Sequence, residues 1–144
     1  MYDDIHWLGA SRLLDLYRRG ELSPVEVARS LLARIDDLDP HFGAFRPVDP
    51  DETLAQARRA EDRYRHLERV GLLDGLPVAI KDSFLTRGWS TRFGSRTVDP
   101  DQAWERDGPT VSSLRRHNAV FVGKTTMPEF GWKAVTDSPL TGVS

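Results

Sequence analysis

The apolar positions of this chain change period halfway along its length. From Ala10 to Arg19, Leu13, Leu14, Leu16 and Tyr17 recur at helical spacing, with arginines on the other side. Gly20 follows them and suits a C-terminal cap. Ser23-Pro24-Val25-Glu26 then reads as a capping box, with serine at the N-cap, proline at the first helical position and glutamate at the third. The helix it opens carries Val27, Leu31, Ile35 and Leu38 on one face and is expected to stop before Pro40. Phe42 to Val48 reads as a small strand or extended loop. Asp49-Pro50-Asp51-Glu52 starts a third helix, with acids in its first turn where the macrodipole favours them. Leu54, Ala57, Ala60, Tyr64 and Leu67 give that helix its apolar stripe.

From residue 72 onward the apolar residues come in short runs. Val78-Ala79-Ile80, bounded by Gly75 and Pro77, predicts a buried strand, and Ala119-Val-Phe-Val122 predicts a second. Between them lies a hydroxyl-rich loop from Ser83 to Ser95, then a turn at Asp99-Pro-Asp101. A fourth helix opens at Asp107-Gly-Pro109-Thr110, with Val111, Leu114 and His117 inward and Asn118 as a left-handed cap. Helix, tight turn and buried strand in this order predict an α/β fold: N-terminal helices followed by the start of a mixed sheet flanked by helices. Residues 1–70 form the helical segment and 71–144 the α/β part, expected to make one structural unit. Thr126 to Phe130 reads as a helical turn, and the tail beyond it has no terminating element.

Composition narrows the function. The chain has 144 residues, 39% hydrophobic and 29% charged, with a net charge of −2. That is ordinary for a globular domain, and no basic cluster marks a nucleic-acid surface. No apolar run approaches the roughly 20 residues needed to span a bilayer, so no membrane contact is expected and the cytoplasm is the default compartment. There are no cysteines, which removes disulfides, thiolate nucleophiles and zinc–thiolate sites. His6, His41, His66 and His117 are scattered, so neither a metal nor another cofactor is expected.

Candidate chemistry gathers at Gly75-Leu-Pro-Val-Ala-Ile-Lys81-Asp82, an apolar run that ends on a lysine. A lysine in that setting would be partly desolvated, and burial lowers its pKa until the neutral amine can act as a general base. The bland alternative is a lysine that reaches water or pairs with a carboxylate such as Asp82. Gly123-Lys124-Thr125 resembles the end of a phosphate-binding loop, but the required earlier glycine is replaced by Asn118 and the preceding residues are Val-Phe-Val. Nucleotide binding is therefore not expected.

Several segments resemble one family, in order along the chain. They are Leu22-Ser-Pro-Val-Glu26, Gly75 to Asp82, Thr86 to Ser95, Leu114 through Thr125, and Thr126-Met-Pro-Glu-Phe-Gly131. Together they are similar to the N-terminal part of an amidase signature enzyme, over essentially the whole chain. The joint occurrence of the Lys81 block and the Gly123-to-Gly131 block is the specific part. The resemblance implies hydrolysis of a small-molecule carboxylic amide by a Ser–cisSer–Lys triad. Lys81 matches the lysine, and Thr126 and Met127 match residues near the acyl pocket.

The two serines are expected in a Gly-Gly-Ser-Ser-Gly-Gly-type stretch later in the family order, and these 144 residues contain none. Ser144 and the Ser112-Ser113 pair do not match it. Thr126 stands where the family commonly has Asn. The chain is thus expected to be an incomplete amidase, inactive alone, that exposes apolar surface and associates through a sheet edge, for example as a homodimer. The alternative is a non-catalytic α/β module or truncated gene product that binds a partner or ligand.

Overall fold

The computed structural model describes residues 5–46, 48–66, 68 and 71–144. Leu67, which the sequence pattern puts on the third helical stripe, lies outside the described residues. After a short 3₁₀ turn at Ile5–Trp7, helices α1 (Ala10–Arg19), α2 (Pro24–Phe42) and α3 (Pro50–Arg65) precede strand β1 (Pro77–Lys81). Helix α4 (Pro109–Arg116) and strand β2 (Val120–Thr125) follow. A 3₁₀ turn at Glu129–Gly131 and a two-residue hairpin of β3 (Asp137–Ser138) and β4 (Gly142–Val143) complete the chain. The α/β expectation holds.

The helix boundaries follow local chemistry. α1 ends on Gly20 at φ 66°, whose N–H returns to the carbonyls of Leu16 and Tyr17. At the start of α2, Val25 N–H donates to Ser23 Oγ (2.9 Å) and Ser23 N–H donates to Glu26 Oε2 (2.8 Å), closing the capping box. α2 does not stop before Pro40 as expected but runs to Phe42. Pro40 sits in the last turn, where a missing N–H costs only one bond. The turn is then closed from Asp39: its carbonyl accepts Gly43 N–H (2.7 Å), and its carboxylate accepts Ala44 N–H (2.7 Å) and Phe45 N–H (2.9 Å). Asp49 caps α3 through Glu52 N–H (3.0 Å).

β1 and β2 are parallel neighbours joined through α4, as a parallel pair requires a crossover. β2 is covered on both faces. Val120 packs with Val25, Ala28 and Ala57 of α2 and α3, while Phe121 packs with Ile80, Val111 and Ala119. Phe121 is also tied across the core by its backbone: its N–H donates to Gln56 Oε1 (2.9 Å) and its carbonyl accepts Thr53 Oγ1–H (2.9 Å). The pairing shifts register between Val78 and Ala79, opposite the Gly123 region. Gly123 has φ 148°, and a Cβ there would lie 2.9 Å from Val48 Cγ2. This irregularity lets Phe45 and Val48 approach β2 at Gly123, and Phe45 bridges Thr125.

The entry to β1 is fixed by a buried carboxylate. Asp74 receives a two-pronged contact from Arg63 (2.7 and 2.8 Å) and a third from Asn118 Nδ2 (3.0 Å). Asn118 has φ 60°, the left-handed cap expected of it. One contact set therefore joins α3, the turn before β1 and the end of α4. By contrast, β1 carries only one fully buried residue: Ile80 is buried, Pro77 and Val78 are half-buried, and Ala79 and Lys81 are exposed. Its outer edge pairs with no other strand among the described residues.

Candidate active site

Parallel strands aim their C-terminal ends at a common rim, the usual place for a ligand in an α/β sheet. Here that rim carries Lys81, the last residue of β1, directly across from Thr125, the last residue of β2. Thr126 and Met127 follow at once. The topology thus brings all three candidate residues, Lys81, Thr126 and Met127, to one end of the sheet.

Their environments differ. Lys81 is exposed, and its side chain has no hydrogen-bond or ion-pair partner among the described residues. The partial desolvation expected from the apolar run is not found: Lys81 and its same-face neighbour Ala79 are both exposed. Thr126 is half-buried and its hydroxyl donates toward the carbonyls of Gly43 (3.1 Å) and Ala44 (3.3 Å). It fastens the segment after α2 rather than offering a free hydroxyl. Met127 is buried. Its carbonyl would lie 2.4 Å from a Cβ at Gly94, which has φ 66°, so only glycine lets the 84–95 loop approach so closely. Ser112 and Ser113 are half-buried on α4, and Ser144 is exposed beyond the terminal hairpin.

The lysine that is buried is Lys124, one register position before the rim and opposite Ile80. Its Nζ donates to the Phe84 carbonyl (3.1 Å) and to Thr91 Oγ1, and lies 3.4 Å from Asp82 Oδ1. Burial pulls its pKa from 10.5 down to about 8; the Asp82 carboxylate opposes that fall and Arg46 adds to it. Asp82 is itself buried and is the hub of the rim. Its carboxylate accepts Arg92 N–H (3.2 Å) and Gly94 N–H (3.4 Å), and Arg46 Nη1 lies 3.5 Å away.

Sequence reasoning misses this cluster, because it sets Lys124 aside once a phosphate loop is excluded. The available signal is a second lysine at the end of a fully apolar run, with a carboxylate after the first. Of the loop hydroxyls, Thr86, Thr91 and Ser95 are buried, and Thr91 serves Lys124. Beside the cluster, a polar cavity of about 290 Å³ is lined by Arg46, Asp49, Glu52, Trp89, Ser90 and Lys124, among others. Between the strands and α2, Ala79, Pro77 and Val122 face an apolar groove of about 450 Å³ walled by Leu31, Leu38 and Phe42.

Comparison with known proteins places this chain in a family. Two similar relatives are both glutamyl-tRNA(Gln) amidotransferase subunits. The protein from Geobacter metallireducens is 38% identical over 130 residues, and that from Streptomyces coelicolor 35% over 141 residues. These alignments cover 90% and 96% of this chain but 26% and 28% of the relatives, so the chain spans little more than a quarter of their length. The fold matches a bacterial aryl acylamidase of the amidase signature family with a TM-score of 0.88 at 27% identity, over 96% of this chain and 29% of the other. It matches fatty acid amide hydrolase with a TM-score of 0.84 at 26% identity, over 97% and 25%. The amidase family model covers residues 26–144, which leaves only the first helix and its flanks outside it, and the chain belongs to the amidase signature family.

Proposed function

We propose that this chain is the N-terminal portion of a cytoplasmic amide hydrolase and that Lys81 is its general base. The observation that carries the reading is the position of Lys81: at the rim of two parallel strands, next to a buried Asp82, in a chain that belongs to the amidase signature family. The names of the relatives share amide chemistry: an amidotransferase subunit, an aryl acylamidase and a fatty acid amide hydrolase. The proposed substrate class is accordingly a carboxylic amide.

The chemistry follows the Ser–cisSer–Lys scheme. Neutral Lys81 takes a proton, relayed through the middle serine, from the nucleophilic serine. The serine oxygen attacks the amide carbonyl, and the C–N bond breaks as the nitrogen leaves with a proton as ammonia or an amine. Water then cleaves the acyl ester to carboxylate and restores the serine. Both serines belong to sequence that follows residue 144 in the family order. Residues 1–70 and 71–144 act as one structural unit in this reading, and Thr126 and Met127 border the acyl pocket. Lys81 is exposed here because the layer that would desolvate it belongs to the remainder of the enzyme. Without that layer the apolar groove and the free β1 edge drive the 144-residue chain to self-associate, as a homodimer through the sheet edge.

The test is covalent labelling. A protein extended beyond Ser144 through the Gly/Ser-rich stretch should react with a fluorophosphonate, a reagent for activated serines, and should hydrolyse simple amides. The 144-residue chain should do neither. Amide turnover by the extended protein with no serine labelling contradicts the mechanism. Turnover by the 144-residue chain alone contradicts the assignment of the serines to later sequence.

A further inference from the structure

We propose that Lys124 is a positioning residue for Lys81, acting through Asp82. The proposal rests on the reading of Lys81 as the base. Three short connections bracket that residue. Asp82 N–H donates to the Thr125 carbonyl (3.0 Å), Phe84 N–H donates to the Lys81 carbonyl (3.0 Å), and Phe93 N–H donates to the Asp82 carbonyl (3.2 Å). The backbone that carries Lys81 is thus held by β2 on one side and by the 84–95 loop on the other.

Lys124 fastens that loop. An ammonium has three N–H donors, and Lys124 has three partners for them: the Phe84 carbonyl, Thr91 Oγ1 and the Asp82 carboxylate. Those partners lie at both ends of the loop segment that embraces Lys81. Asp82 passes the constraint on, because its carboxylate also accepts the N–H groups of Arg92 and Gly94. The Lys81 side chain is a flexible stem with no partner of its own among the described residues. Its reach toward a serine is set by where its backbone points, and a displacement of about 1 Å at a reacting group costs on the order of 100-fold in rate.

A purely structural role for the pair makes a different prediction. Buried ion pairs replaced together by neutral residues often leave stability unchanged. Removing Lys124 alone also leaves Asp82 paired with Arg46, 3.5 Å away, so Lys124→Met should fold. The experiment compares Lys124→Met and the double variant Asp82→Asn/Lys124→Met with the parent 144-residue chain, by urea unfolding and amide exchange. If Lys124 positions Lys81, the Phe84 and Phe93 amides exchange about tenfold faster or more in both variants, the scale of one lost hydrogen bond to a charged group. They do so even where the urea midpoint returns to the parent value. If protection of Phe84 and Phe93 recovers together with the midpoint in the double variant, the pair is structural only and the proposal is overturned.

The extended enzyme supplies the second readout. Lys124→Met should lower kcat by about 10–100-fold with KM little changed, the pattern of lost alignment rather than lost binding. Full turnover in Lys124→Met, where Lys81→Ala has none, overturns the positioning role and leaves Lys81 as the base. Full turnover in Lys81→Ala overturns the function itself, and the positioning role with it.

Discussion

Lys81 and Lys124 sit on paired strands one register step apart, and the fold treats them in opposite ways. Both end apolar runs, and from those runs alone either could be the buried lysine. Lys124 is 3% exposed, fully partnered and lowered to about 8, whereas Lys81 is open to solvent. The difference lies in the layers around them. β2 has α2 and α3 over Val120 and the α4 side over Phe121, so every residue from Val120 to Lys124 is buried. β1 is fully buried only at Ile80, with Val78 half-buried on the same face. A short apolar run therefore reports that a strand forms, but which of its residues lose water is decided by what packs on each face. Within the proposed enzyme the buried lysine organises the rim and the exposed one is left free to react.

The contrast can be pressed experimentally on stability, with the largest effect at the covered face. Phe121 is fully buried, meets Trp89 edge-on with centroids 6.1 Å apart, and has the Arg115 guanidinium 4.7 Å from its ring centre. Phe121→Ala should cost about 3–5 kcal/mol, the range for a large aromatic truncated in a packed core. Urea unfolding monitored by tryptophan fluorescence measures it.

The pH dependence is the next effect, and its sign follows from Lys124. Its folded pKa of about 8 lies below its unfolded 10.5. Between those values the unfolded chain binds more protons, so stability should rise with pH across that window and be flat with respect to this group below it. Lys124→Met should abolish the rise. A parent chain whose stability, relative to Lys124→Met, does not increase from about pH 7.5 to about pH 9.5 contradicts the buried placement of Lys124.

The smallest effect belongs to the open face. Ala79 is exposed on the groove side of β1. Ala79→Ser should change the unfolding free energy by less than about 0.5 kcal/mol, as at other surface sites. It should also weaken self-association of the chain, read by sedimentation velocity, because it makes the groove more polar. A destabilisation comparable to that of Phe121→Ala would mean that this face is covered after all.

Much of the fold was legible because its signals are local. The capping box at Ser23, the helix start at Asp49-Pro50-Asp51-Glu52, the left-handed Asn118 and both strands need only neighbouring residues to be read. The run of α2 past Pro40 was not legible, since it depends on Asp39 turning back to cap Ala44 and Phe45. The terminal hairpin was not legible either, because its two-residue strands are too short to show an alternation. At the candidate site, the motif singled out Lys81 at the end of a strand, and the parallel pairing puts that strand end opposite Thr125. The sequence could not show that Thr126 spends its hydroxyl on the 43–44 carbonyls. Nor could it show that Asp82, Thr91 and Lys124 converge from positions far apart in the chain. Those contacts exist only once the parallel crossover has brought the strands side by side.

The most direct test of the central claim is turnover of the extended enzyme with Lys81→Ala. The account predicts a fall in kcat of about 10³-fold or more, the scale for loss of a triad base, and, in the 144-residue chain, where Lys81 is exposed, an unchanged urea midpoint. A Lys81→Ala enzyme that is equally stable and turns over at the parent rate would contradict the assignment of Lys81 as the general base.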